Sequence, residues 1–245
     1  MSLPETQFAA LVDHARTDPN IVGLVLAGSR GMGAYVTPES DYDAYVILRH
    51  ADLLAEYAER FPSAHGDPVE YIWVSLEGFR AHALPGTDSR WNAYTFAHVE
   101  PLIDKLDGEI ARIASAKAVP GPEDTREFLD GYLNQYYRSK KNLLAGRWLE
   151  GHLDAAESIP WFLDFLFAAH GRVRPFNKWL RWELDRYPLD DPWRDSLLLR
   201  IEEIVTTGSI ERQRSLYHDA EAFARVRGLD DVVDAWGPDV LLFRS

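Results

Sequence analysis

Cysteine is absent from this chain of 245 residues. Its absence excludes disulfide bridges, thiolate-bound zinc and a cysteine nucleophile, and it is compatible with a reducing cytoplasm. The eight histidines show no metal-ligand spacing, so we expect each of them to be a surface or core residue. Any catalytic chemistry is therefore expected to come mainly from carboxylates and hydroxyls.

The chain also has no excess of basic residues and no long apolar run. Lysine and arginine number 26 against 39 acidic residues, giving a net charge of −13, which repels nucleic acid backbones and anionic membranes. The longest apolar runs, such as IVGLVLA at 21–27, fall far short of the ~20 residues of a membrane helix. The N-terminus does not resemble a signal peptide. The sequence thus predicts a soluble, cytoplasmic protein with neither nucleic acid nor membrane as partner.

The first half of the chain is predicted to alternate strands and helices. Apolar residues at helical spacing predict a helix over 8–15, and short apolar runs bounded by turn residues predict strands. The predicted strands are 21–29, 43–49, 68–75 and 95–103, and the later helices are 51–61, 76–84 and 108–118. Ser75 is expected to cap the helix that follows it.

The second half is predicted to be all-helical. Two prolines and a glycine in KAVPGPEDTREF (117–128) mark a boundary, which gives domains 1–120 and 121–245. An aromatic stripe predicts a long helix from about 128 to near Trp148, and the next helix stops at Gly171, with a kink or break near Pro160. Further helices are expected after Pro175, over 192–206 and over 209–227. The fold class is α+β, a mixed sheet with flanking helices followed by a helical domain.

The segment GSRGMG (28–33) directly follows the first predicted strand. Small residues such as Gly28 and Ser29 let backbone amides and a hydroxyl approach a phosphate closely, and a helix beginning there would add its positive end. The glycine spacing does not fit a dinucleotide fingerprint, and no lysine followed by serine or threonine completes a Walker loop. This turn is a candidate phosphate site of another kind.

Two carboxylates, Asp41 and Asp43, lie at the start of the second predicted strand. A spacing of two points both side chains to one face. Adjacent carboxylates favour a hard divalent cation, and Mg²⁺ typically takes one or two carboxylates plus substrate phosphate oxygens. Glu70 begins the third strand and would complete a two-metal site or act as a base if that strand neighbours the second. Asp67 and Glu100 compete with it for this role.

Together these residues resemble the signature of the DNA polymerase beta-type nucleotidyltransferase superfamily, above all its small bacterial members such as the aminoglycoside and lincosamide nucleotidyltransferases. In those relatives a helical domain follows the catalytic one. The resemblance implies that Gly28 and Ser29 hold the triphosphate. Asp41, Asp43 and Glu70 would be catalytic carboxylates that bind Mg²⁺ or Mn²⁺.

Further positions follow from the same resemblance. Arg30 and Ser40 lie inside the motif and would assist nucleotide binding. The segment GRVRPFNKWLRWEL (171–184) resembles part of the family's second domain, so Lys178 would reach the triphosphate. For Lys140 and Lys141 a solvated helix face is the simpler interpretation, with a phosphate contact as the alternative.

The resemblance implies an enzyme that moves an NMP group, AMP from ATP or its equivalent from another NTP, onto a hydroxyl of a small molecule and releases pyrophosphate. Antibiotics are among the candidate acceptors. The protein would be a monomer or a homodimer. Two alternatives remain open: an antitoxin-like enzyme that adenylylates a partner protein, and a nucleotide-binding regulator without turnover. A template-directed polymerase is least favoured, because no basic tract suits a template.

Overall fold

Residues 2–245 are described by a computed structural model. The chain divides into two units, one extending to Val119 and the other beginning at Pro120. The first contains a four-stranded mixed sheet with helices, and the second is helical. The predicted α+β architecture is confirmed. None of the helices within residues 2–245 is long and apolar enough to cross a membrane.

The first unit follows the predicted alternation of helices and strands. Its strands are β1 (Ile21–Leu26), β2 (Tyr42–Leu48), β3 (Val69–Ser75) and β4 (Pro101–Asp104). Its helices are α1 (Leu3–Thr17), α2 (Gly28–Met32), α3 (Leu54–Arg60), α4 (Leu76–Ala81) and α5 (Glu109–Lys117), with 3₁₀ turns at Ala51–Leu53 and Arg90–Phe96.

The sheet has the strand order β3-β2-β1-β4. β1 is antiparallel to both of its neighbours, β2 and β4, whereas β2 and β3 are parallel. Successive side chains of a strand point to opposite faces. Tyr45 and Ile47 therefore pack with Phe79 of α4 on one face, while Ala44 and Val46 pack towards α1 and α3 on the other. Helices on both faces explain why β1 is almost wholly apolar.

Ser75 caps α4 as predicted, because its hydroxyl accepts a hydrogen bond from the Gly78 N–H at 3.0 Å. The predicted fourth strand was too long, since β4 begins only at Pro101. Residues before it form the 3₁₀ turn that ends at Phe96. The ring of Phe96 packs edge-on against Tyr45 and Phe79, so this apolar run fills the core from a turn rather than from a strand.

The second unit is built on two long antiparallel helices and five shorter ones. They are α6 (Asp124–Leu144), α7 (Trp148–Ala169), α8 (Leu180–Arg186), α9 (Leu197–Thr207), α10 (Ile210–Val226), α11 (Asp230–Asp234) and α12 (Asp239–Arg244), with a 3₁₀ turn at Asn177–Trp179 before α8. Aromatic and aliphatic side chains form its core; for example, the rings of Tyr132 and Phe162 join α6 to α7 with centroids 5.2 Å apart.

Three expectations for this unit differ from the structure. The helix expected over 192–206 begins only at Leu197. The long helix α6 ends at Leu144 rather than near Trp148, because Gly146 adopts a positive φ of 73° that glycine accepts without strain. A kink or break was expected near Pro160; the break does not occur, because α7 is continuous through that residue, and a kink there stays a prediction. The proline ring is exposed, and its missing N–H removes only one hydrogen bond from a helix of 22 residues.

Candidate active site

The Gly-Ser turn and the second aspartate are packed against each other at one edge of the sheet. The N–H of Ala27, directly after β1, donates to the carbonyl of Asp43 in β2 at 2.8 Å. Gly28 follows with a φ of 62°, and a Cβ at this position would lie 2.2 Å from Oδ2 of Asp43. Only glycine leaves room for that carboxylate. Ser29 is buried beside it, with 7% of its surface exposed.

Glu70 is the direct neighbour of Asp43 across the parallel pair β2–β3. Neighbouring strands lie about 4.8 Å apart, and partners in register point to the same face. Tyr45 shares this face, and its pKa is raised by burial and further by the negative charges of Asp43 and Glu70. The sheet thus places two acidic residues side by side on one face, and neighbouring carboxylates favour a cation between them.

The surroundings of this carboxylate pair are partly open to solvent. The side chain of Glu70 is 23% exposed, and its Oε2 lies 3.2 Å from Nδ1 of the almost fully exposed His65. Asp41 is exposed and immediately precedes β2, so it lies at the same edge of the sheet as Asp43. A substrate could reach the edge without displacing core residues.

The two competing carboxylates have other positions. Asp67 is exposed and accepts a hydrogen bond from the Ala64 N–H at 2.7 Å, which closes the turn before β3. Glu100 precedes β4, and β1 separates that strand from β2. The structure therefore brings Glu70 next to Asp43, and neither Asp67 nor Glu100 is a register partner of that residue.

Arg30 and Ser40 hold the loop between α2 and β2. The Nε of Arg30 donates to the carbonyl of Ser40 at 2.9 Å, and its guanidinium lies 4.1 Å from the centre of the Tyr42 ring. The hydroxyl of Ser40 accepts from the Thr37 N–H at 2.9 Å. These contacts fix the loop that carries Asp41. A direct contact of Arg30 or Ser40 with a nucleotide stays a prediction.

The three lysines of the second unit have different environments. Lys178 is exposed in the 3₁₀ turn before α8, with its ammonium 5.2 Å from the centre of the Trp179 ring. Lys141 is also exposed and lies over the Tyr137 ring. Lys140 is buried, so the expectation of a solvated position was wrong, while the alternative of a phosphate contact stays a prediction. Its Nζ donates to the carbonyl of Phe243 at 3.4 Å, which anchors α6 to α12, and burial lowers its pKa.

A polar network on the carboxylate face was not predicted from the sequence. Asn92 donates one amide hydrogen to the Tyr45 hydroxyl at 2.8 Å, and its Nδ2 lies 2.8 Å from Nε2 of His82. Burial and nearby Lys117 lower the pKa of His82, so its neutral imidazole accepts the second hydrogen. In the sequence, only the position of Tyr45, two residues after Asp43 on the same strand, indicates that its side chain shares a face with the carboxylate. Asn92 and His82 lie in no recognisable local pattern.

Within residues 2–245, no group of three or more acidic or histidine side chains is arranged so as to hold a metal ion. Two adjacent carboxylates nevertheless match what Mg²⁺ requires where substrate phosphates and water supply the other ligands. A Cβ at position 28 would collide with the Asp43 carboxylate. Because residue 28 is glycine, the carboxylate can stay at the sheet edge. The residues present therefore fit a divalent-cation site in which the substrate supplies the remaining ligands.

Comparison with known proteins finds few similarities. No known protein family's profile matches the chain, and no curated protein matches it. Among solved structures, the chain is similar to a nucleotidyltransferase-like protein from Exiguobacterium sibiricum 255-15. The identity is 12%, the match covers 99% of this chain and 78% of that one, and the TM-score is 0.46. A likeness this distant assigns neither fold nor activity to the chain.

Proposed function

We propose that this protein is a metal-dependent nucleotidyltransferase that moves an NMP group, AMP from ATP in the simplest case, onto a hydroxyl of a small molecule and releases pyrophosphate. One observation carries the proposal: Asp43 and Glu70 are register partners on β2 and β3, and Asp43 is pressed against Gly28 of the Gly-Ser turn. Carboxylates and a small-residue turn meeting at one edge suit a substrate that brings both phosphates and a divalent cation.

The residues have separate roles in this reaction. Asp41, Asp43 and Glu70 would hold Mg²⁺ or Mn²⁺, which when bound neutralises charge on the α-phosphate. Gly28 and Ser29 would position the triphosphate. A phosphate contact from Lys178, which the sequence resemblance implied, stays a prediction. Glu70 would also accept the proton of the acceptor hydroxyl. The acceptor oxygen then forms a bond to the α-phosphorus while the bond to pyrophosphate breaks. Positioning and electrostatics account for most of the rate enhancement.

The net charge of the chain favours one class of acceptor. A chain with a net charge of −13 attracts cations and repels anions, so a polyhydroxylated cationic molecule of the aminoglycoside kind suits it better than an anionic sugar. Transfer to a hydroxyl of a protein uses the same donor chemistry. Labelling with ATP carrying a radioactive α-phosphate separates the two, because the label ends on a small molecule in one case and on a protein in the other.

The test is pyrophosphate release from ATP and Mg²⁺ across a panel of hydroxylated acceptors. We expect Glu70→Gln to lower turnover by about 10²–10⁴-fold, the usual contribution of a positioned acid–base group. Asp43→Asn, which removes a metal ligand, should abolish transfer while leaving the fold intact. Asp67→Asn is the matched control, since this exposed carboxylate bonds only its own turn, and it should retain nearly full turnover.

Three results would count against the proposal or against one of its assignments. Substantial turnover by Asp43→Asn would remove the metal-site assignment, and a larger loss in Asp67→Asn than in Glu70→Gln would move the third carboxylate. Binding of ATP without pyrophosphate release for any acceptor in a broad panel would favour a nucleotide-binding regulator instead.

A further inference from the structure

One face of the long helix α7 is only half covered. Residues spaced three and four apart share a face of a helix, and on this face they are Leu149, Leu153, Ala156, Pro160, Leu163 and Phe167. The last two are buried, whereas Leu149 is 70% and Leu153 56% exposed. We call the four residues from Leu149 to Pro160 the open α7 face. An apolar surface of this kind on a soluble helix indicates a contact site.

An apolar pocket lies where the open and the covered parts of this face meet. It has a volume of ≈ 260 Å³ and lies between α7, the segment 174–180 and α9. Ala156 and Pro160 form part of one wall, and Ile201 and Val205 of α9 form part of another. A cavity of about 150 Å³ holds benzene. The pocket therefore has room for a leucine side chain supplied from outside.

The open α7 face is complementary to a second copy of itself. Its spacing of four, three and four residues is that of a seam between two packed helices. When a second α7 lies antiparallel, with a two-fold axis between Leu153 and Ala156, these two residues face each other in both directions. Leu149 then faces Pro160 of the other copy, at the pocket. A large residue opposite a small one is the combination that fills the space between two facing helices.

We infer that the open α7 face is the interface of a homodimer, in which the two α7 helices pack antiparallel and Leu149 of each copy enters the pocket of the other. The inference does not depend on the proposed reaction. Residues 149 to 160 span about 16 Å of helix, which is too short to bury the ~800 Å² per partner of a standard interface. We therefore expect a weak dimer, with a Kd that is about micromolar or higher.

Charge separates a second copy from a basic partner protein. Glu150 and Glu157 beside the open α7 face are exposed, and each chain has a net charge of −13, so two copies repel each other. Salt screens repulsion between exposed charges. The homodimer should therefore become tighter as the NaCl concentration rises, whereas a complex with a basic partner would become weaker.

The experiment is sedimentation equilibrium of the full chain between about 1 and 500 µM. We expect the average mass to rise with concentration from 27.9 kDa towards twice that value. Leu149→Asp and Leu153→Asp should each remain monomeric. The matched control is Leu241→Asp in α12, because Leu241 is also 70% exposed. This variant should dimerise as the unaltered protein does.

Disulfide formation tests the antiparallel register, since the chain contains no cysteine of its own. Chains carrying Leu153→Cys are mixed with chains carrying Ala156→Cys, which places the two sulfurs opposite each other. In the control mixture, Leu149→Cys replaces Leu153→Cys and lies about 6 Å, or four residues, out of register with position 156. Under mild oxidation the first mixture should form the mixed cross-link faster.

The inference is overturned if the mass stays at 27.9 kDa up to about 500 µM, or if Leu149→Asp dimerises as well as Leu241→Asp. A dimer that salt weakens, or equal rates of mixed cross-linking in the two mixtures, would also overturn it. Circular dichroism confirms that each variant is folded. Should the aspartate variants fail to fold, the salt series and the cysteine pairs decide the question.

Discussion

Gly28→Ala offers a quantitative test of how the Gly-Ser turn positions Asp43. The added Cβ would lie 2.2 Å from Oδ2 of Asp43, whereas ordinary contact begins at 3.4 Å. The carboxylate must therefore retreat by about 1.2 Å (3.4 Å minus 2.2 Å). Misplacing a reacting group by about 1 Å costs on the order of 10²-fold in rate. We expect Gly28→Ala to lose about that much turnover.

Gly33 provides a matched control because its backbone is nearly the same. Its φ is 64° against 62° for Gly28, yet a Cβ there meets no atom within 4 Å. Alanine pays about 1–2 kcal/mol for a left-handed conformation at either position. Both variants should therefore show this common cost in urea unfolding, and only Gly28→Ala should lose pyrophosphate release.

Binding of Mn²⁺ together with a non-hydrolysable ATP analogue gives a second measurement, made by calorimetry and independent of the acceptor. Gly28→Ala should bind Mn²⁺ in the presence of the analogue more weakly than Gly33→Ala does. If the two variants bind Mn²⁺ and turn over equally well, the contact between Gly28 and Asp43 has no part in the site, and the reasoning from the turn to the carboxylate fails.

Three further predictions concern stability, each measured by urea unfolding. Burial lowers the pKa of Lys117 from 10.5 to about 8, so between pH 8 and pH 10.5 the unfolded chain binds this proton and the folded protein does not. As the pH rises over this range, the unfolding free energy of the unaltered protein should increase by up to about 3 kcal/mol relative to that of Lys117→Met. A constant difference between the two proteins would contradict this. Hydrogen bonds from Arg244 and a second arginine lower the pKa of Glu221 from 4.5 to about 2. The ionised Glu221 should therefore contribute about 3 kcal/mol to the unfolding free energy above pH 4.5, and this contribution should be lost as the pH falls towards 2. The unfolding free energy of Glu221→Gln should lack this dependence on pH. Gly131→Ala should destabilise α6 although alanine favours helices, because its Cβ would lie 2.2 Å from the Trp161 ring; a stabilised variant would refute the contact.

Local sequence patterns predicted most of the first unit because its elements are short and clearly bounded. The apolar run of β1 and the capping serine of α4 are local features, and both were recognised. The segment ending at Phe96 was misassigned because an apolar run gives no local sign of whether it packs as a strand or as a turn. In the second unit, the end of α6 depended on the conformation of Gly146, which helical periodicity does not encode.

The site was only partly predictable for a similar reason. Asp41 and Asp43 are close in sequence, so their spacing predicted a shared face. The register that places Glu70 beside Asp43 joins residues 27 positions apart, and only a known strand order fixes it. The interior position of Lys140 and the Asn92 network depend on tertiary contacts, because each partner comes from a distant element. Polar residues without local partners are the ones that a sequence describes least well.

The most direct test is a crystal grown with Mn²⁺ and a non-hydrolysable ATP analogue, measured for anomalous scattering. Our account predicts a peak at coordination distance, about 2.1 Å by analogy with Mg²⁺, from the Asp43 carboxylate, with Glu70 beside it and the triphosphate at Gly28 and Ser29. A nucleotide bound elsewhere, or a Mn²⁺ peak that contacts neither Asp43 nor Glu70, would contradict it.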